Sequence, residues 1–170
     1  GKCYWLKVYE LPHGSRGSKG KPIVNLLPLE EDERINAVLP VSEFDGDYHV
    51  FMATQQGTVK KTPLSHFSRP RSSGIIAVHL ADGDRLVNVG MTDGNSDIML
   101  LTSAGKAIRF EESKVRAMGR TAAGVRGVRL APGQTVIECL ILGEGHVLTV
   151  TENGFGKVTQ VADYPLRGRG

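Results

Sequence analysis

Short segments rich in arginine, lysine, glycine and serine recur along this sequence of 170 residues. They occupy residues 14–21, 69–74 and 116–124, and a fourth lies at residues 167–170. Glycine lets backbone N–H groups approach a phosphate oxygen closely, and cationic side chains release the counterions condensed on a polyanion. One such segment is more simply explained as a solvated connector. Four of them predict contact with the phosphate backbone of a nucleic acid.

The predicted contact residues are the cations in or beside these segments: Arg16, Lys19, Lys21, Arg69, Arg71, Arg116, Arg120, Arg126, Arg167 and Arg169. The net charge of the chain is only +3, but it is unevenly distributed. Residues 105–129 carry seven cations against two carboxylates, whereas residues 30–47 carry seven carboxylates against one arginine. This separation favours a molecule with a basic working side and an acidic side held away from polyanions.

Residue types that could catalyse a reaction or bind a metal are present, but their spacing does not fit such sites. Gly20 and Lys21 resemble the end of a phosphate-binding P-loop, yet Pro22 replaces the required Ser or Thr. The histidines show no i, i+4 pair and no cysteine at zinc-ligand spacing. The aspartates between residues 82 and 97 lie near glycines in predicted turns, where aspartate is favoured. The sequence therefore predicts neither catalytic residues nor metal ligands.

The tyrosines, the cysteines and the hydropathy of the chain also have ordinary structural explanations. Tyr4 and Tyr9 belong to a predicted opening strand over residues 3–9, where packing explains bulky groups. Cys3 and Cys139 lie far apart and outside any Cys-x-x-Cys motif, which favours free thiols in a reducing cytoplasm. The sequence contains no apolar run of membrane-spanning length and does not open with a charged-then-apolar leader, so neither a membrane span nor secretion is expected.

The elements that position the basic segments repeat with a period near 50 residues. An apolar run followed by Thr, two small or polar residues and Gly occurs at residues 50–57, 98–105 and 147–154. Its glycines lie 48 and 49 residues apart. A second register, with the pattern Val-polar-Leu, is found at residues 24–26, 78–80 and 128–130. Two registers with one period indicate an internal repeat.

Each repeat predicts four strands: a short strand such as residues 75–80, a second after a Gly or Pro turn, an apolar third, and a fourth after the hairpin glycine. The unbroken hydrophobicity of the third strand predicts burial on both of its faces. Such units are typical of all-β propellers. Repeats at 20–62, 74–110 and 124–160, with 1–10 as the closing strand of a preceding blade, supply about three blades of an expected longer ring.

Residues 14–20 read Gly-Ser-Arg-Gly-Ser-Lys-Gly. This stretch resembles a degenerate copy of the Gln-Arg-Arg-Gly-Gly-Lys-Gly box of the C-terminal domain of DNA gyrase A. Further stretches similar to the family are residues 21–30, residues 51–54 with 57–62, and residues 115–119 with 124–127. Because Gly14, Ser15 and Ser18 depart from the box, the resemblance implies a chain that binds DNA but wraps it poorly by itself.

The resemblance implies a β-pinwheel, a propeller-like ring whose blades exchange strands and whose basic rim wraps double-stranded DNA. It implies a non-catalytic part of a bacterial, cytoplasmic type IIA topoisomerase that introduces negative supercoils. ATP, Mg²⁺, gyrase B and a second gyrase A in an A2B2 assembly would belong to other domains, and no cofactor is expected in this chain. Two alternatives stay open: the corresponding domain of topoisomerase IV, and a β-propeller module that docks proteins through an exposed apolar patch.

Overall fold

The computed structural model describes residues 1–44 and 46–170, and it is an all-β structure. Its strands are β1 (Lys2–Cys3), β2 (His49–Thr54), β3 (Thr58–Pro63), β4 (Ile75–Ile76), β5 (Leu86–Thr92), β6 (Asp97–Thr102), β7 (Ala107–Glu111), β8 (Val125–Arg126), β9 (Val136–Leu142), β10 (His146–Val150) and β11 (Gly156–Gln160). Short 3-10 turns are found at Val8–Glu10, Ile23–Asn25, Leu64–Phe67, Glu112–Lys114 and Val161–Asp163.

Three hairpins, β2–β3, β6–β7 and β10–β11, carry the predicted repeat. In the first, the Gly57 N–H donates to the Thr54 carbonyl at 3.0 Å, and the Thr54 hydroxyl accepts from the Thr58 N–H at 3.2 Å. Gly57 has φ +85°, a backbone conformation that residues with a side chain rarely adopt. Equivalent threonines and glycines close the other two hairpins in the same way. The Thr-x-x-Gly pattern is therefore a local turn signal, as predicted.

The short strand that follows a hairpin lies in the sheet of the hairpin before it. The larger sheets have the strand orders β5-β2-β3-β8 and β7-β6-β9, and the smaller ones are β1-β4 and β10-β11. Thus β8, which follows β7 in the chain, pairs with β3, and β4, which follows β3, pairs with β1. The next strand, β5 or β9, then returns to the sheet of the hairpin that the chain has just left, by pairing with β2 or β6. This exchange of strands between neighbouring sheets confirms the β-pinwheel.

Strand β2 is buried on both faces, as its unbroken hydrophobicity predicts. Phe51 and Ala53 pack in one cluster with Ile98 and Leu100 of β6. The alternate residues Val50 and Met52 pack in a second cluster, which also contains Leu64, Phe67 and Val78. The two clusters lie on opposite faces of the sheet because successive side chains of a strand point in opposite directions. Cys139 belongs to the first cluster and Cys3 to the edge of the second.

The same prediction is wrong for β10. Leu148 is 65% exposed and Val150 is 62% exposed, although they belong to an apolar run equivalent to that of β2. Phe51, the residue equivalent to Leu148, is covered by β6 of the following repeat. Within the described residues β10 pairs only with β11, and no following sheet covers that face.

Two other predicted strands are shorter than expected. The opening strand ends at Cys3 instead of residue 9, because β4 provides partners only for Lys2 and Cys3, and Tyr9 is exposed. The predicted strand over residues 75–80 is reduced to Ile75–Ile76, because the N–H groups of Ala77 and Val78 turn toward the Gly1 carbonyl.

The second repeat register holds for two of its three copies. Gly127 and Val128 donate to the Gly57 carbonyl just as Ala77 and Val78 donate to the Gly1 carbonyl. Val24 instead lies in a 3-10 turn and is exposed, since no hairpin glycine of the described chain accepts from this segment.

Candidate nucleic-acid interface

The two ends of a blade differ in structure. At one end, the hairpin tip is tied to the following turn, where the Gln56 N–H donates to the Asp84 carboxylate at 2.9 Å. At the other end, the closing strand runs into a 3-10 turn, where the Leu64 N–H donates to the Tyr48 carbonyl at 2.9 Å. Each of the four basic segments follows one such 3-10 turn. The segments therefore leave their repeats at equivalent points, away from the hairpin tips.

Three of the predicted contact residues line one cavity. Arg69 and Arg71 come from one loop, whereas Arg120 comes from the equivalent loop of the next repeat. The cavity has a volume of about 410 Å³, and its wall also includes Ser65, His66, Ser68 and Ile75. The sequence patterns did not single out the two serines or His66, because the 3-10 turn that presents them carries no basic motif.

A second group forms around β8. The Arg169 guanidinium donates to the Arg126 carbonyl at 2.9 Å, and the Arg126 guanidinium donates to the Gly170 carbonyl at 3.3 Å. The Arg167 N–H donates to the Arg109 carbonyl at 2.8 Å, which fixes the start of this segment on β7. The last basic segment is thus held against the preceding repeat.

The other four predicted contact residues are exposed: Arg16, Lys19, Lys21 and Arg116. Residues 14–21 form a turn in which the Ser15 N–H donates to the Ser18 hydroxyl at 2.7 Å. The hydrogen bonds and ion pairs of the described residues do not join these four side chains to the other two groups.

The predicted contact residues keep their charge unpaired, whereas other cations are neutralised. Asp97 binds Arg109 at 2.6 Å, Glu112 binds Lys61 at 3.5 Å, and Glu111 binds Lys114 at 3.5 Å. Lys2 pairs with Glu30. Among residues 1–44 and 46–170, no ion pair includes any of the ten predicted contact residues. Their positive charge is available to a polyanion.

Lys60 is a buried cation that no sequence pattern singled out. Its side chain is fully buried, and its ammonium group donates to the Ala77 carbonyl at 2.8 Å and to the Arg120 carbonyl. It thereby ties β3 to the loop that carries Arg120. Burial, and then the positive charge of Arg120, lower the pKa of Lys60 to about 8. The sequence does not distinguish Lys60 from a strand lysine whose ammonium group is exposed to solvent.

The lowered pKa of Lys60 predicts a stability that rises with pH. Between about pH 8 and the ordinary lysine pKa of 10.5, the unfolded chain holds a proton that the folded chain has released. The free energy of unfolding, relative to a Lys60→Met variant, should therefore increase by about 2–3 kcal/mol between roughly pH 7 and 10. Chemical denaturation of both proteins across this range measures the difference. A constant difference would contradict the prediction.

Two other kinds of site do not occur in the part of the chain that the structure describes. No helix there is long and apolar enough to cross a bilayer. Residues 1–44 and 46–170 contain no group of three or more His, Cys, Asp or Glu side chains placed to hold a metal ion.

Comparison with known proteins gives one consistent family. The family model described as "DNA gyrase C-terminal domain, beta-propeller" matches residues 1–42, 48–93, 96–142 and 145–170. The DNA gyrase A protein of Salmonella typhimurium is 58% identical over 99% of this chain, and that of Escherichia coli is 53% identical over the same share. The chain spans 19% of the length of each of these relatives.

Solved structures agree with the fold. A C-terminal domain of DNA topoisomerase IV superposes with a TM-score of 0.83 at 30% identity, covering 88% of this chain and 47% of that one. A DNA gyrase A C-terminal domain superposes with a TM-score of 0.83 at 24% identity, covering 100% of this chain and 55% of that one. The sequence relatives decide between the two groups, and the chain belongs to the DNA gyrase C-terminal domain family.

Proposed function

We propose that this chain binds duplex DNA through the basic segments that follow its 3-10 turns, and bends it around the rim of the pinwheel. The observation that carries the proposal is the cavity at which Arg69, Arg71 and Arg120 meet. The cavity lies between the loops of two consecutive repeats. Its three arginines form no ion pair with a carboxylate of the described residues. A row of such loops favours a curved duplex, because additional phosphate contacts offset the cost of bending.

The names of the relatives extend the proposal to the whole protein. As part of a DNA gyrase A protein, the chain would be the non-catalytic, DNA-wrapping portion of a type IIA topoisomerase in the bacterial cytoplasm. ATP, Mg²⁺, gyrase B and a second gyrase A would act through other domains. The chain itself would need no cofactor, since its contacts to DNA are hydrogen bonds and ion pairs to phosphate.

The two alternatives have less support. The topoisomerase IV domain shares 30% identity with this chain, against 58% for a gyrase relative. A protein-docking module would need an exposed apolar patch, and one does occur on the β10–β11 hairpin at Leu148, Val150, Phe155 and Val158. Phe51, at the position equivalent to Leu148, is covered by the following repeat, so the repeat architecture explains the patch without a partner protein.

Charge reversal in the exposed segment 14–21 tests the proposal. Changing Arg16, Lys19 and Lys21 to glutamate should leave the fold unchanged, because the three side chains are exposed. The affinity for a duplex should fall, and the slope of log K against log salt should fall by about 0.9 for each phosphate that the variant no longer neutralises. Fluorescence anisotropy with a labelled duplex, repeated over a range of salt concentrations, measures both quantities.

The matched control reverses three exposed cations on or near the hairpin tips, Arg85, Lys106 and Lys157, with the same change of net charge. The control should bind DNA more tightly than the first variant and should retain most of the salt slope. Equal losses in the two variants would reject the loop end as the binding side. Failure of the unmodified chain to bind duplex DNA would reject the function itself.

A further inference from the structure

Arg120 is held in a fixed position on the preceding repeat. Its guanidinium donates to the Ile76 carbonyl at 2.9 Å, and its own carbonyl accepts from the buried Lys60. Ile76 ends the exchanged strand β4. Holding a guanidinium in this way lowers the entropy lost when it binds an anion. The arginine therefore faces the cavity as a preorganised group of a neighbouring repeat.

The same type of hydrogen bond occurs in the next repeat. Arg169 donates to the Arg126 carbonyl at 2.9 Å, and Arg126 ends the exchanged strand β8 as Ile76 ends β4. The distance is the same as the one between Arg120 and Ile76. One arginine of each following loop is thus anchored on the last residue of an exchanged strand. Repetition of this hydrogen bond indicates a feature of the repeat rather than a chance surface contact.

The chemistry of the cavity wall suits a phosphate group. Arg69, Arg71 and Arg120 provide planar guanidinium groups, which match phosphate oxygens in pairs of hydrogen bonds. Ser65 and Ser68 add hydroxyl donors. Of the described residues, none that lines the cavity is a carboxylate. The buried residues Leu64 and Phe67 fix the 3-10 turn that presents Ser65 and His66.

We propose that the cavity between Arg69, Arg71 and Arg120 binds one backbone phosphate of a duplex, and we call this phosphate-binding site a seat. Arg169 lines an equivalent seat in the following repeat. This proposal rests on the proposed function, and adds that each seat is built by two consecutive repeats. A phosphate in the seat bridges the two loops. DNA binding and the relative position of the repeats are therefore coupled.

A double-mutant cycle tests the shared seat. Arg71→Gln and Arg120→Gln should each weaken duplex binding about tenfold, the size expected for one charge-assisted hydrogen bond. If both arginines hold the same phosphate, the double variant should fall short of the product of the single effects by about fivefold. Arg16→Gln, which changes a different loop, should combine with Arg120→Gln multiplicatively. Arg85→Gln, at the hairpin-tip end, should change the affinity less than about twofold.

The outcomes separate the seat from the general function. Salt-dependent binding by the unmodified chain, together with multiplicative effects of Arg71→Gln and Arg120→Gln, would overturn the seat while leaving the function intact. Arg120→Lys should retain the salt slope while losing part of the affinity, because it keeps the charge but not the planar group. Millimolar inorganic phosphate at constant ionic strength should leave duplex binding nearly unchanged. Displacement of the duplex would instead identify a site for free phosphate and overturn the proposal.

Discussion

Replacing Glu112 with glutamine is expected to lower the free energy of unfolding by about 3 kcal/mol. The Glu112 side chain is fully buried between the repeats, where it lies 3.5 Å from the Lys61 ammonium. It also accepts the Thr92 hydroxyl at 2.6 Å and the Ser96 N–H at 3.3 Å. The substitution would leave the buried Lys61 charge without its carboxylate, which is the costly way to break a buried pair. Urea denaturation measures the effect.

The chain provides a matched control for this variant. Glu111 and Lys114 form the same type of pair at the same 3.5 Å, but both side chains are about half exposed. Glu111→Gln should therefore cost less than about 1 kcal/mol. In the preceding repeat, Leu64 occupies the position equivalent to Glu112, as the first residue of its 3-10 turn. The double variant Lys61→Met with Glu112→Leu should accordingly be more stable than Glu112→Leu alone. A Glu112→Gln substitution as mild as Glu111→Gln would show that the buried pair does not hold the repeats together.

Replacing Gly124 with alanine is expected to destabilise the chain by about 2–4 kcal/mol. Gly124 has φ +96°, and a Cβ there would lie 2.8 Å from the Val59 carbonyl oxygen and 2.8 Å from the Thr58 methyl group. The carbonyl belongs to the backbone of β3 and cannot move without disturbing the β3–β8 pairing. Strain and steric overlap therefore act together at the end of the Arg120 loop. Thermal and urea unfolding measure the loss of stability.

A Gly133→Ala variant separates the cost of backbone strain from the cost of steric overlap. Gly133 has φ +79°, but an added Cβ would meet nothing within 4 Å. Its substitution should therefore cost only the backbone strain, about 1 kcal/mol. Equal costs at the two positions would show that the close approach to β3 is unimportant. Gly124→Ala should also weaken duplex binding, because it displaces the loop that carries Arg120.

The local elements of this fold could be predicted from the sequence because their signals lie within a few residues. Thr54 and Gly57 close a hairpin through two hydrogen bonds that span no more than four residues. The period of the repeat follows from such turns. Burial of β2 was also predictable, whereas the exposure of β10 was not, since a strand's own pattern cannot tell whether a neighbouring sheet covers it.

The candidate site was predictable only in part. Its cations were visible as Arg-, Lys-, Gly- and Ser-rich segments, and the DNA contacts assigned to them remain a prediction. The shared cavity of Arg71 and Arg120, and the hydrogen bond from Arg120 to Ile76, bring together residues more than 40 positions apart. The burial of Lys60 also depends on tertiary contacts, since its partners Ala77 and Arg120 lie 17 and 60 positions away in the sequence.

By itself, the sequence determined the period of the repeat, the hairpin turns and the location of the basic segments along the chain. These depend on backbone conformation at glycine and on short-range hydrogen bonds. Only the tertiary structure decided that β8 pairs with β3, and that loops of two repeats share one cavity. The physical reason is the exchange of strands. The exchange joins segments of neighbouring repeats through hydrogen bonds between backbone groups. Every residue except proline carries both of these groups, so the pairing leaves no distinctive residue pattern.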